Sequence, residues 1–299
     1  MNVVVSTSTR TIQAFRAPVL RLIPIGLLAA LLLSACQQAS LSTPEPITLS
    51  IAGSTEMMPL LVELTGEFSN RHPNVIFSLR GGGSSLGENW VASRRVDLAA
   101  STLIYNDSEI PRGLTRVPIG LDGIAVVVHA SNPITGLTLL QLRDLYNGRA
   151  LDWRDVGGEE GEVLLVSRED GSGTRTLFED RVMGGEGVAL TAVVMPTSKD
   201  VVAYVASRPN TIGYVSQAYV RAAADTFLGD ATLREDIRLL EIEDRLPDSE
   251  TIAAQTYHLS RPLYLVRRAN QRGWPQQFID FVLSPTGQQI VHRYHVRIR

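Results

Sequence analysis

The chain is short of cysteine, of aromatic residues, of surplus positive charge and of any apolar run long enough to cross a membrane comfortably. Its one cysteine, Cys36, cannot close an internal disulfide, so no disulfide framework holds the fold. Aromatic residues make up only 6% of the chain, and Trp90, Trp153 and Trp274 read as core or boundary residues rather than a ligand-stacking platform. Lysine and arginine total 28 against 31 acids, a net charge of −3. No basic field exists to hold nucleic acid, so any bound anion must be held by a local site. His72, His129, His258, His292 and His295 show no ligand spacing with cysteine or acids, so neither a metal nor another cofactor is expected.

The N-terminus points to export. Residues 1–35 carry Arg10, Arg16 and Arg21 and no acid, followed by the apolar run Ile23 to Leu33 and then Leu33-Ser34-Ala35-Cys36. A basic segment, a short apolar segment and small residues before a cut site make a secretory signal. The run is short for a membrane span, although a signal anchor is the alternative. A lone thiol in an exported chain needs an explanation. Cys36 resembles the acylated cysteine of a bacterial lipoprotein; an unmodified thiol is the other reading. Residues 36–47 are rich in Gln, Ser, Thr and Pro and read as a flexible tether.

The rest is long enough for two modest domains. Ile47 to Ile51 alternates as a strand, and Met57, Leu61, Leu64 and Phe68 recur at helical spacing before Pro73. Val75, Phe77 and Leu79 form a second strand, and Ser85 with Glu88 fits a capping box at the start of the next helix. Val96–Ala100 is a third strand. The near-continuous apolar run Gly123–His129 suits a strand buried on both faces of a parallel sheet. A short helix is expected over Leu137–Asn147. Strands follow at Glu162–Val166, Ala192–Met195, Thr211–Val215, Arg238–Ile242 and Leu263–Arg267, and a last helix at Phe278–Leu283. Alternating strands and helices imply an α/β architecture.

Three turns share one design: a strand, then glycine and hydroxyl residues, then a helix. They centre on Ser54-Thr55, Ser84-Ser85 and Ser172-Gly173-Thr174. In open α/β sheets ligands bind beyond the C-terminal ends of strands. A single serine or threonine there is usually only a helix cap. Three such turns together would surround an anion with backbone and hydroxyl donors. Arg168 ends an apolar strand just before the third turn, and its guanidinium fork suits an oxyanion. Asp170 is placed to orient it. Arg175 reads as an exposed helix-start arginine unless an anion is present. Asp152, Asp155, Glu159 and Glu160 read as a solvated acidic loop.

The stretches "IAGSTEMMPLL", "GGGSSLG", "VDLAAST", "DGIAVVVHASNP", "LTLLQLRDLYNG", "DWRDVGG", "SREDGSGTR", "TIGYVS" and "LSRPLYLV" resemble the phosphate-specific ABC-transporter substrate-binding family. That resemblance implies a two-domain clamshell of the type II periplasmic-binding-protein kind. Its ligand cleft lies between the domains and two strands cross the hinge. The crossings are expected near Ile124–Ala130 and Ser260–Leu265. The implied division is a signal peptide at 1–35, a lipidated tether at 36–47, a discontinuous first domain at 48–126 with 257–299, and a second at 127–256. The resemblance also implies ABC permease subunits as partners, attachment to a membrane through a lipid on Cys36, and a monomer.

Carried across by position, the family's ligand contacts fall on Thr55, the backbone of Glu56, Ser84, Arg168, Asp170, Ser172, Gly173 and Thr174, while Ser54, Ser85 and Thr102 are candidate ligand residues from the turns themselves. Some members place at the Thr102 position an aspartate that accepts the phosphate proton. Glu56 is a candidate replacement, or else an exposed acid in the first turn of its helix. Sulfate, molybdate and tungstate stay open as ligands, as does a sensing role. A serine hydrolase or phosphatase is the competing class, because Gly83, Ser85 and Gly87 spell G-x-S-x-G. Histidine and acid partners are not evident around it.

Overall fold

The computed structural model describes residues 45–105, 112–221, 228–230 and 232–298, and from Pro46 onward the chain packs as one unit. The expected signal segment, Cys36 and most of the tether lie outside the described residues. In chain order the described elements begin with β1 (Ile47–Gly53), α1 (Met58–Arg71), β2 (Val75–Arg80), α2 (Ser84–Ala92) and β3 (Leu98–Ser101). There follow β4 (Leu114–His129), β5 (Gly136–Leu137), α3 (Leu139–Tyr146), β6 (Leu164–Arg168), α4 (Gly173–Phe178), β7 (Val193–Met195), α5 (Ser198–Ala206) and β8 (Thr211–Ser216). The last are α6 (Thr232–Glu235), β9 (Ile237–Leu239), β10 (Glu241–Ile242), α7 (Ser249–Ala253), β11 (Ser260–Arg268), α8 (Trp274–Leu283), α9 (Pro285–Tyr294) and β12 (Val296–Arg297).

β4 is the spine. Its first part, Leu114 to Gly123, pairs with β11, and its second part, Ile124 to Val128, pairs with β8. Beyond β11 lie β3, β1 and β2; beyond β8 lie β6 and β7. β4 therefore changes partners between Gly123 and Ile124 and links a lobe on each side. This is a two-domain α/β architecture of the periplasmic-binding kind. The chain returns nearby, where Ile124 N–H donates to the Leu259 carbonyl at 2.8 Å and β11 then runs back along the first half of β4.

Gly123–Val128 is buried as expected, with His129 only half-buried, but the partners β8 and β9 are antiparallel to the run, not parallel. An apolar run reports burial on both faces. Strand direction is set by the connections, which that run does not encode. The capping box expected from Ser85 and Glu88 does not form. α2 starts at Ser84 with Gly83 as its cap residue, and Glu88 turns inward to pair with Arg116 at 3.2 Å. Asp152 and Asp155 are more than a solvated loop. They cap the turn Trp153–Val156 reciprocally and help seat the buried Trp153. The C-terminal helix has a successor, α9. Ser284 caps it and Pro285 opens it, so a Ser-Pro pair that reads as a stop is also a start.

Packing follows the apolar spacing. α1 buries Leu60, Leu61, Leu64 and Phe68, and Phe68 meets Phe77, Phe278 and Phe281 edge-on or tilted within 6 Å between ring centroids. In the other lobe Phe178 stacks on Tyr214 at 4.0 Å. No helix among the described residues is long and apolar enough to cross a membrane.

Candidate functional site

Three turns meet at the line between the lobes. The first follows β1. Gly53 has φ +134°, and a Cβ there would lie 2.2 Å from the Ala100 carbonyl oxygen, so only glycine fits. Ser54 N–H donates to that same carbonyl at 2.9 Å, and Gly83 N–H donates to Gly53 O at 3.0 Å. These bonds hold the second turn against the first. Ser84 Oγ accepts from Thr102 N–H at 3.1 Å and lies 3.2 Å from Thr102 Oγ1. The third turn lies across the gap, where Ser172 caps α4.

The turns of the two lobes touch. A Cβ added to Gly83 would lie 2.5 Å from the Gly171 carbonyl oxygen. One added to Gly173 would lie 2.1 Å from Thr102 Oγ1 and 3.1 Å from Ser84 Oγ. Glycine at both positions is what allows this approach.

Glu56 and Arg168 sit at the centre, each fully buried, with Nη1 2.6 Å from Oε1 across the lobes. Ser54 Oγ donates to the second carboxylate oxygen, and Ser172 Oγ lies 3.4 Å from the first. Burial alone would push the Glu56 carboxyl up. The charges of Arg168 and then Arg261, with hydrogen bonds from Ser54 and Arg168, hold it at about 2. Glu56 is thus an ionised carboxylate in the interior, not an exposed first-turn acid. Arg168 is the last residue of β6, in keeping with its place at the end of the apolar run. Its Nη2 donates to Thr55 Oγ1, its Nη1 to Ser198 Oγ, and its Nε and Nη2 reach both oxygens of Glu169. Met195 and Pro196 carbonyls accept further bonds. Burial disfavours this guanidinium's charge, but Glu56 and Glu169 outweigh that and raise its pKa further.

A second buried pair lies beside the first. Arg261, near the start of β11, donates through Nε and Nη2 to Asp122 Oδ2 at 3.2 and 2.9 Å, and through Nη2 to Thr174 Oγ1 at 2.8 Å. Asp122 also accepts from Ser216 Oγ at 2.7 Å and lies 3.2 Å from His295 Nδ1. Burial opposes its charge, yet the His295 contact and the Arg261 charge hold its pKa below the usual carboxylate value. Tyr219 adds another tie between lobes, donating to the Thr55 carbonyl.

Of the residues expected at a site, Ser54, Thr55, Glu56, Ser84, Thr102, Arg168, Ser172, Gly173 and Thr174 come together, and all are buried. Two do not join them. Ser85 is exposed on the outer side of α2. Asp170 is also turned out, 95% exposed and 2.7 Å from Arg175. The acid that orients Arg168 is its neighbour Glu169, because the turn at Gly171 (φ +85°) leaves Asp170 facing solvent. Arg175 is likewise explained by Asp170 and Glu179. The serine of the G-x-S-x-G string has no hydrogen bond to a histidine among the described residues, so no nucleophile and base are assembled there. No group of three or more His, Cys, Asp or Glu among those residues is arranged to hold a metal. Asp122, Glu169, Ser198, Tyr219 and Arg261 escaped sequence reasoning. The one signal for Arg261 was its place in "LSRPLYLV".

Two α/β lobes joined at a shared strand, with a polar arginine-centred cluster closed between them, define a solute-binding protein of the clamshell class. Residues 38–286 match the PBP superfamily domain, and the chain belongs to that superfamily of periplasmic-binding-protein folds. It is 28% identical over 266 residues to the phosphate-binding protein PstS of Pseudomonas aeruginosa, covering 81% of this chain and 80% of that one. It is 25% identical over 250 residues to PstS of Borreliella burgdorferi, covering 81% and 86%. Among solved structures, a putative phosphate ABC transporter substrate-binding protein from Clostridium perfringens, with bound phosphate, is 29% identical. It superposes with a TM-score of 0.75 over 84% of this chain and all of that one.

Proposed function

We propose that this chain is the extracytoplasmic binding component of an ABC importer, that it captures phosphate and that it is not an enzyme. The curated relatives above carry phosphate-binding names, and the Clostridium perfringens protein holds phosphate. The observation that carries the reading is the buried Glu56–Arg168 pair spanning the lobes among the hydroxyls of Ser54, Thr55, Ser84, Thr102, Ser172 and Thr174. A guanidinium supplies the charge for an oxyanion and short hydroxyls replace its hydration. Gly173 lets the lobes close. Glu56 then acts as a filter. An ionised carboxylate accepts a hydrogen bond but cannot donate one. A ligand oxygen beside it must bring its own proton, which phosphate carries near neutral pH and sulfate does not. Glu56 would thus take the part that the family gives to an aspartate at the Thr102 position.

On this reading residues 48–126 with 257–299 form one lobe and 127–256 the other, binding closes the gap between them, and permease subunits receive the loaded monomer. Cys36 carries the lipid that holds the protein at the membrane. Calorimetric titration of the purified protein with phosphate, arsenate, sulfate, molybdate and tungstate tests the ligand. Phosphate and arsenate should bind and sulfate should not. Equal binding of sulfate and phosphate refutes the filter, and no binding of phosphate refutes the function.

A further inference from the structure

Arg168 leaves nothing over for a ligand without giving up a protein contact. Its Nε, Nη1 and Nη2 are all engaged, by Glu56, Glu169, Thr55, Ser198 and two backbone carbonyls. The other buried guanidinium differs. Arg261 is as deeply buried, yet its Nη1 has no hydrogen-bond partner among the described residues. A buried donor left without an acceptor is costly, and more so when it is charged.

The geometry locates that donor. A guanidinium is planar, and each terminal nitrogen carries one hydrogen on either side. Asp122 Oδ2 takes the edge formed by Nε and Nη2. The remaining hydrogen of Nη2 then lies on the edge shared with Nη1, and that is where Thr174 Oγ1 accepts, at 2.8 Å. The unpartnered Nη1 therefore presents a hydrogen on the same edge as the Thr174 hydroxyl. Thr174 follows Gly173, which is in contact with Thr102 and Ser84 across the lobes. The nearness of Arg261 is also felt by Glu56, whose carboxyl it lowers.

We propose that Arg261 is a second cation of the oxyanion site, donating through Nη1 to the ligand beside Thr174. Asp122 fixes its plane from behind, through two bonds to one oxygen. The ligand is then held by two guanidiniums arriving from different strands, Arg168 at the end of β6 and Arg261 at the start of β11. Each is partly neutralised by its own carboxylate, so the site favours a protonated, singly or doubly charged tetrahedral oxyanion. This inference rests on the functional reading above and names a residue and an atom within it.

The test is a structure of the full chain with phosphate bound, together with phosphate titration of wild type and Arg261→Lys. In the complex Nη1 should lie within about 3.2 Å of a phosphate oxygen. Arg261→Lys keeps a charge for Asp122 but removes the fork. Its dissociation constant should rise about 10- to 150-fold, the loss expected for one charge-assisted bond, with the melting temperature of the unliganded protein nearly unchanged. Wild-type affinity in a folded Arg261→Lys overturns the proposal. So does phosphate seated in the cavity of about 360 Å³ beside Arg261 that Ile104, Arg181, Tyr257 and His258 help line. If the lysine variant does not fold, the wild-type complex alone decides. Failure of wild type to bind any tetrahedral oxyanion would instead sink the functional reading. Phosphate bound at Arg168 but out of reach of Nη1 sinks only this inference.

Discussion

Replacing Gly173 with alanine should separate folding from ligand capture. Gly173 is the first residue of α4 and has no left-handed backbone, so alanine adds no local strain. Its new methyl would lie 2.1 Å from Thr102 Oγ1, 3.1 Å from Ser84 Oγ and 3.4 Å from Thr102 Cβ. Heavy atoms rest roughly 3.5–4 Å apart, so the overlap with the threonine hydroxyl exceeds about 1 Å. Thr102 is β-branched and buried, with its hydroxyl against Ser84, and has little room to swing away. All three obstacles belong to the opposite lobe. Opening the lobes relieves the clash by giving up the contact between Glu56 and Arg168, so the unliganded protein still folds, with its stability lowered by no more than that contact contributes. The closed state is penalised by about 1–3 kcal/mol, the usual cost of forcing one methyl into packed space. Since binding draws on the closed state, affinity should fall ~5- to 150-fold. Titration calorimetry gives the affinity and thermal unfolding without ligand gives the control. Wild-type affinity in the variant, or a melting temperature that collapses without ligand, would refute the reasoning.

The other predictions concern charge and anchoring. Arg168→Ala should destabilise the fold by about 3–5 kcal/mol, because Glu56 is left buried and unpaired; adding Glu56→Gln should restore part of that, and an unchanged urea midpoint in the single variant would contradict it. Glu56→Gln should narrow the preference for phosphate over sulfate in competitive titration, and an unaltered ratio would remove Glu56 from the filter. Glu56 titrates at about 2 in the folded protein against 4.5 as its ordinary value. Its folded pKa is depressed, so its contribution is complete above 4.5 and is lost as pH falls toward 2, a difference worth about 3 kcal/mol. Unfolding free energies of wild type and Glu56→Gln should converge across that window, and parallel curves would refute the assignment. Cys36→Ser should release the protein from membranes, since acyl chains supply the affinity and the tether is polar; a variant that stays bound after high-salt washing would rule out the lipid anchor.

Local chemistry is legible in the sequence. The turns after β1 and β2 and before α4 announce themselves by glycine and hydroxyl residues flanked by apolar spacing, because turn and helix-start chemistry is decided within a few residues. Arg168 stood out for the same reason. Tertiary structure decided what each side chain faces. Glu56 meets Arg168 across 112 positions of chain, and Arg261 meets Asp122 across 139 and Thr174 across 87. No local pattern distinguishes an exposed first-turn acid from one folded against a distant guanidinium. The same limit applies to Asp170 and Glu169: both stand beside Arg168 in the sequence, and only the folded turn at Gly171 turns Glu169 toward Arg168 and Asp170 toward Arg175 and solvent. Strand direction in β4 followed the same rule. The apolar run determined that the segment would be buried on both faces, while the returning paths of β8 and β11, which depend on the whole chain, made its neighbours antiparallel.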